Sequence, residues 1–297
     1  MKKASIVSSL VILTSTVLAV GVSFAGGDGG ASIGGLPVFV ICAAAAFAIN
    51  WIAFIPANIN KTEHFYDLTG SLTYLMVIAL AVALSGANNA IGEMSLRALL
   101  AAGMVVIWAC RLGMFLFTRI RRDGKDDRFD EIKNNSIRFF LTWTLQGLWV
   151  VLTAACALAI ITGGDQTRMG VIGWLGAFVW LFGFVIEVVA DKQKSAFRKD
   201  PANSGKFISS GLWSWSRHPN YFGEMLLWFG VAVMAIPVLH GWQWVCLISP
   251  VFVYALIAHV SGANLLEAKA DRKWGNDTAY LAYKGSTSEL VLRPPSG

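Results

Sequence analysis

The densest group of reactive side chains in this 297-residue chain is Ser216-Arg-His-Pro-Asn-Tyr-Phe-Gly-Glu224. Pro219 suits the first turn of a helix, where a missing N–H costs nothing. The N–H groups and dipole of a helix start attract anions, so Arg217 and His218 beside it suit a phosphate. Asn220 and Glu224, four apart, share a helical face with Trp228 one turn on, and Tyr221 lies in the same segment. Gly223 and Gly230 permit close approach of another helix or a ligand.

Three further sites carry polar groups where such groups are expensive. Lys61-Thr-Glu-His-Phe-Tyr-Asp67 opens an apolar run. Glu63 and Asp67 stand one turn apart, with Tyr66 beside them. They either cap a helix or line the mouth of an intramembrane pocket. Glu63 can donate to a substrate carbonyl only when protonated, a state that burial favours; Tyr66 can donate directly. Arg111 lies in the middle of the apolar run Met104–Phe117, where arginine faces a polar cavity or a partner, or snorkels toward the helix end. Glu187 and Asp191 close another apolar run on one face, and Arg198 lies two helical turns beyond Asp191. If that helix continues past the membrane, the three make a polar stripe.

These residues need membrane helices to position them. Apolar residues make up 56% of the chain and charged residues only 14%, against about 25% charged in soluble domains. A helix crosses the hydrocarbon with about 20 apolar residues. The chain offers eight such stretches, over 4–25, 36–57, 68–86, 97–118, 139–162, 170–190, 222–237 and 242–262. The last two, separated by Pro237 and Gly241, suit a tight hairpin. Lys2 and Lys3, the apolar run and Ser23-Phe24-Ala25 also fit a signal peptide, so seven or eight spans remain open. The expected fold is an all-α polytopic helical bundle, with residues 1–35 as a signal-like or first transmembrane segment and loop, and 36–297 as the functional domain.

Charge sets the orientation. Of the 24 Lys and Arg, 18 fall in 119–138, 191–221 and the tail after 262. The positive-inside rule places these segments in the cytoplasm. The net charge of +6 is therefore a topology signal, and no nucleic-acid partner is expected. Cys42, Cys110, Cys156 and Cys246 each lie in an apolar run with no CxxC or His/Cys cluster, which argues against a disulfide framework or a metal site. No inverted pair of broken helices suggests a transporter.

Ser216–Glu224 resembles the signature of the steroid 5α-reductase family of membrane reductases, and sterol C14 and C7 reductases carry a similar element. Arg111, then Arg119 and Asp126-Asp-Arg-Phe129, resembles that family's R…R…DxRF/Y stretch. Asp191 to Arg198-Lys199, Gly211-Leu-Trp213 and the tail from Glu267 to Tyr283-Lys284 also resemble it, so the likeness covers roughly residues 58–290. It is closest in character to bacterial membrane homologues, which implies an inner-membrane enzyme with its cofactor site facing the cytoplasm. The resemblance implies NADPH as cofactor and reduction of the C4–C5 double bond of a 3-oxo-Δ4-steroid or related lipid enone. It carries Glu63 over to the substrate's 3-oxo group, and Arg111, Asp191, Arg198 and Asn220 to NADPH. Lys199, Arg217, His218, Tyr221 and Glu224 fall in the same cofactor-facing segments. Trp108 stands where the animal enzymes have a tyrosine, which leaves Tyr66 as the second carbonyl donor, and Glu187 replaces an asparagine. Beyond lipids no partner is implied, and a monomer suffices.

A second family fits part of this pattern. Isoprenylcysteine- and phospholipid-type membrane methyltransferases carry an RHPxYxG-like element and use S-adenosylmethionine. They commonly carry paired glutamates after the last span, where this chain has Leu266-Glu267-Ala268. No GxGxxG is present, so a dinucleotide would be held without a Rossmann domain.

Overall fold

The computed structural model describes residues 2–88, 94–123, 129–260 and 262–294. The side chains of Lys2, Lys3, Arg119, Arg121 and Arg122 lie outside that description, as do Lys125 and the Asp126-Asp-Arg128 part of the expected arginine stretch. Among the described residues, seven helices are long and apolar enough to cross a membrane, and a bent pair makes an eighth if it crosses as one span. The chain is an all-α polytopic membrane protein. It divides into two compact units, the first of Met1–Gly173 with Met234–Ser249 and the second of Trp174–Val233 with Pro250–Gly297.

In the first unit α1 (Lys2–Gly26) leads through a short hairpin, Ser32–Ile33 paired with Leu36–Pro37, into α2 (Val38–Asn60). Then come α3 (Tyr66–Asn88), α4 (Leu96–Asp123), α5 (Ser136–Thr153) and α6 (Ala155–Thr162). Lys61 ends α2 in the left-handed region, φ 49°, a conformation that costs a β-carbon-bearing residue energy. The strain turns the chain within two residues so that Glu63 follows α2 directly. Asn135 caps α5, its side-chain oxygen accepting from the N–H groups of Ile137 and Arg138 at 3.1 Å.

The expected span over 139–162 is broken: α5 and α6 meet at a 56° bend. The freed backbone groups find partners inside the protein, as hydrocarbon demands. Thr153 O, at the bend, accepts from Ser249 Oγ at 2.6 Å; beside it the Cys156 thiol donates to Cys246 O at 3.0 Å. All eight residues of α6 are buried. Arg97, in the first turn of α4, is also buried, and its guanidinium donates to the carbonyls of Met234 (2.7 Å) and Arg168 (3.2 Å). An aromatic core of Phe129, Phe139 and Trp143 with Ala57 packs against Phe54, Phe65 and Tyr66.

The second unit is organised by α7 (Val171–Lys199) and α8 (Pro219–Ala235). The apolar stretch ends near residue 190, but α7 runs on to Lys199 without interruption, so Glu187, Asp191 and Arg198 lie on one continuous helix. The two helices touch through glycines spaced by seven residues, two turns of helix. A Cβ on Gly183 would come within 2.6 Å of Leu227 N, and one on Gly223 within 2.7 Å of Glu187 N. One on Gly230 would come within 2.7 Å of Gly176 O and strike Trp180 N.

The eighth apolar stretch changes pitch along its length, from a 3₁₀ segment Gly241–Leu247, through α9 (Ile248–Ala255), to a π-turn Leu256–Val260. The tail then forms two helices that the apolar pattern did not indicate, α10 (Ala263–Trp274) and α11 (Thr278–Ser286). Asp277 caps α11 by accepting from Ala279 N at 2.9 Å.

The seam makes a test. Replacing a helical glycine by alanine normally stabilises by about 0.5–1 kcal/mol, whereas overpacking costs about 1–3 kcal/mol. Gly103, where a Cβ would meet nothing within 4 Å, should tolerate alanine. Gly230→Ala should lower the thermal midpoint of the detergent-solubilised protein by several degrees while Gly103→Ala leaves it unchanged or raised; equal midpoints would show that the seam is not close-packed.

Candidate functional site

In the second unit the seam sets the register of α7 against α8. It brings Asn220, in the first turn of α8, to Asp191 on α7: Asn220 Nδ2 donates to Asp191 Oδ1 at 3.2 Å. Asp191 and Glu187 are buried, whereas Arg198 and Lys199, two turns further along α7, are exposed. Tyr221 stacks on His218 at 5.6 Å between ring centroids, and Glu224 follows Asn220 one turn on. The structure therefore gathers Asp191 and Asn220 directly, with His218, Tyr221 and Glu224 around the start of α8. Glu63, Tyr66 and Arg111 belong to the first unit, where Arg111 is partly exposed on α4.

Arg217 has a different setting from a phosphate ligand. Its Nε donates to Glu267 Oε1 at 3.1 Å, and its Nη1 to the carbonyls of Lys284 (3.0 Å) and Thr287 (2.7 Å). Its Nη2 lies 3.0 Å from Glu267 Oε2 and 3.7 Å from Glu289. A guanidinium has five N–H groups; three are hydrogen-bonded inside the chain, and Nη2 stands in ion pairs with two carboxylates. His218 Nε2 meets Glu267 Oε1 at 2.8 Å. An ionised carboxylate only accepts, so Nε2 carries a proton, and the buried Nδ1 has no hydrogen-bond partner among the described residues.

Around this core the tail closes over the motif. Ser216 Oγ donates to the carbonyls of Glu289 and Leu290, and Arg217 N to Ser288 O. Tyr283 Oη donates to Trp213 O at 2.6 Å, and Phe207 packs among Trp274, Tyr280 and Tyr283. Lys284 Nζ sits 2.6 Å from Asp271 and 3.5 Å from Glu267. The Asp271 hydrogen bond raises the Lys284 ammonium above its ordinary value. Burial, then the bond to Asp271, pushes the Tyr280 hydroxyl up to about 12. In the sequence Glu267 stands out only through a general likeness of the tail. The available signal was the i, i+4 pair Glu267 and Asp271 on one face of a polar stretch.

In the first unit Glu63 is almost wholly buried, and Lys133 Nζ donates to its Oε2 at 2.9 Å. Glu63 thus accepts a hydrogen bond from an ammonium, and this partner offsets the cost of its burial. That hydrogen bond raises Lys133 above the ordinary lysine value. Tyr66 packs on Phe129 and Trp143 and donates its hydroxyl proton to Thr142 O at 3.1 Å. Gln146 Nε2 donates to Tyr66 O at 3.1 Å. Nearby, Ser9, Ile12, Phe54, Ser136, Ile137 and Phe140 line an open groove of about 430 Å³ between α1, α2 and α5. Trp108, buried on α4, packs edge-on to Tyr74 at 5.1 Å. No cluster of three or more potential metal ligands occurs among the described residues.

Two measurements test the Arg217 latch. Arg217→Lys keeps the charge but loses the fork; breaking such a buried pair costs about 3–5 kcal/mol when one partner is removed, and somewhat less when a charge remains. Limited proteolysis should then cut within 275–294 far faster than in the wild type. Because the folded Lys284 value is raised, its stabilisation is complete below the ordinary lysine value and lost as pH rises through the folded one. Lys284→Met should therefore flatten the alkaline fall in stability, and an unchanged alkaline limb would remove Lys284 from the latch.

No solved structure matches this chain. A probable O-methyltransferase, ustE, from Ustilaginoidea virens is 30% identical over 33% of this chain and 40% of its own length. The steroid 5-alpha-reductase DET2 of Gossypium hirsutum is 34% identical over 33% of each chain. A delta(14)-sterol reductase of Arabidopsis thaliana is 27% identical over 29% of this chain and 23% of its own. The chain spans less than half the length of the curated relatives it matches. The broadest correspondence covers both the buried Glu63 and the latched motif: over residues 53–287 the chain matches the family described as a protein of unknown function, DUF1295, and it belongs to that family.

Proposed function

We propose that this protein is an NADPH-dependent membrane reductase that saturates the C4–C5 double bond of a 3-oxo-Δ4-steroid or a related lipid enone, with its cofactor loops on the cytoplasmic side. The observation that carries the reading is the Asp191–Asn220 pair, fixed at the start of α8 by the glycine seam, with Arg198 and Lys199 following along α7. A part-buried acceptor–donor pair followed by exposed cations suits a ligand with a polar head and phosphates. Asp191, Asn220, Arg198 and Lys199 would hold NADPH, with Tyr221 and Glu224 beside them. When bound, NADPH supplies the hydride for C5. His218 and Arg217 act through the latch, keeping the loop before α8 in place. Two relatives named as reductases, of a steroid and of a sterol, support this chemistry.

One observation favours a methyltransferase instead: the relative named a probable O-methyltransferase. Phosphate-binding cations separate the readings, because S-adenosylmethionine has no phosphate. A charge-assisted hydrogen bond contributes about 1.5–3 kcal/mol, so Arg198→Ala should raise the NADPH dissociation constant at least roughly tenfold. NADH should bind more weakly than NADPH to the wild type. Tight S-adenosylmethionine binding with no NADPH binding would transfer the chain to the methyltransferases.

A further inference from the structure

We infer that Lys133, held by Glu63, is the hydrogen-bond donor to the substrate's carbonyl oxygen; the inference rests on the reductase reading above. Hydride addition to the β-carbon of an enone moves negative charge onto the carbonyl oxygen. A donor already aimed at that oxygen is worth more in the transition state than in the ground state.

Three groups in this part of the first unit are candidates. Tyr66 gives its one hydroxyl proton to Thr142 O. Glu63 Oε2 accepts from Lys133 at 2.9 Å, and an ionised carboxylate cannot donate. Lys133 has three protons and no acceptor capacity. One goes to Glu63, a second faces Asp130 Oδ1 at 3.5 Å, and the third has no acceptor among the described residues. Exposure runs the same way: the Glu63 side chain is 1% exposed and that of Lys133 21%. The carboxylate is the buried anchor and the ammonium the reachable end.

The surroundings suit a rigid apolar molecule with one carbonyl. Ile132, beside Lys133 in sequence, packs on the Phe129, Phe139 and Trp143 core, where low polarity strengthens a charged hydrogen bond. Ser136, three residues beyond Lys133, lines the 430 Å³ groove, and Phe54 on its wall packs against Phe139 at 5.9 Å. In the reaction a C–H bond forms at C5 with the hydride from NADPH. The C4–C5 π pair shifts to C3–C4, and the C3 oxygen becomes an enolate held by Lys133. A proton from water then forms the C–H bond at C4 and restores the carbonyl, leaving NADP⁺. Lys133 keeps its protons throughout, and its raised ammonium value is consistent with that.

The test uses the full chain in lipid nanodiscs with a 3-oxo-Δ4-steroid. A cationic donor at the carbonyl shifts the absorption of the bound enone to the red, a signal that needs no turnover. Lys133→Met should abolish that shift and lower turnover about a hundredfold, the loss expected for one oxyanion donor, with NADPH affinity unchanged. Lys133→Arg should keep the shift and much of the rate, which guards against a folding defect in the methionine variant. Turnover that is unchanged or raised in Lys133→Met would overturn the inference, because it would mean that an unpaired, protonated Glu63 does the work. Absence of the red shift in the wild type would overturn it too. Failure of the wild type to oxidise NADPH with any enone would instead bring down the reductase reading, and the spectral shift would still report on Lys133.

Discussion

Direct contact between two backbones governs the second unit. At Gly183, Gly223 and Gly230 there is no room for a β-carbon, so α7 and α8 can neither slide nor rotate by a residue without a clash. In a membrane such packing replaces the hydrophobic effect, because lipid tails are as apolar as leucine side chains. The polar pair Asp191 and Asn220 exploits the fixed register. Neither residue would find the other if the helices were held apart by side chains. The latch built on Glu267 then holds the loop that leads into α8, so the seam sets the position of the helix and the tail sets its approach.

The first unit solves a different problem, that of keeping a carboxylate inside an apolar corner. Lys61 in its left-handed conformation turns the chain, and Glu63 is buried just before the head of α3. An isolated charge there would be costly. Lys133, seventy residues away, neutralises it. The pair also ties the short turn before α5 to the link between α2 and α3, so a functional group and a structural clip are the same atoms.

Much of this was legible in the sequence and some was not, for physical reasons. Spans appear because hydrocarbon thickness demands about 20 apolar residues, and the seven helices among the described residues fall where those stretches lie. The spacing of Glu187, Asp191 and Arg198 left open whether α7 continues past the apolar region, because an ordinary solvated helix end has the same composition; the structure shows that it continues to Lys199. The bend between α5 and α6 has no proline or glycine to announce it. It is supported by hydrogen bonds from residues near 249, which no local pattern reveals. The helices α10 and α11 are polar, and their order comes from Arg217, Phe207 and Trp213 elsewhere in the chain. Lys133 read as one of many cations that set topology, and its partner became visible only in three dimensions.

The latch has a consequence for how the protein is made. Synthesis runs from the N-terminus, so Ser216 and Arg217 leave the ribosome some seventy residues before the carbonyls of Thr287, Ser288 and Glu289 that they bind. Through that interval the guanidinium must stay hydrated near the membrane surface, since no partner yet exists to take it inside. The second unit therefore completes its fold only after the segment up to residue 290 has been synthesised. Until then the segment before α8 is accessible to chaperones and proteases, which makes the arrival of residues 284–290 a checkpoint for the whole unit.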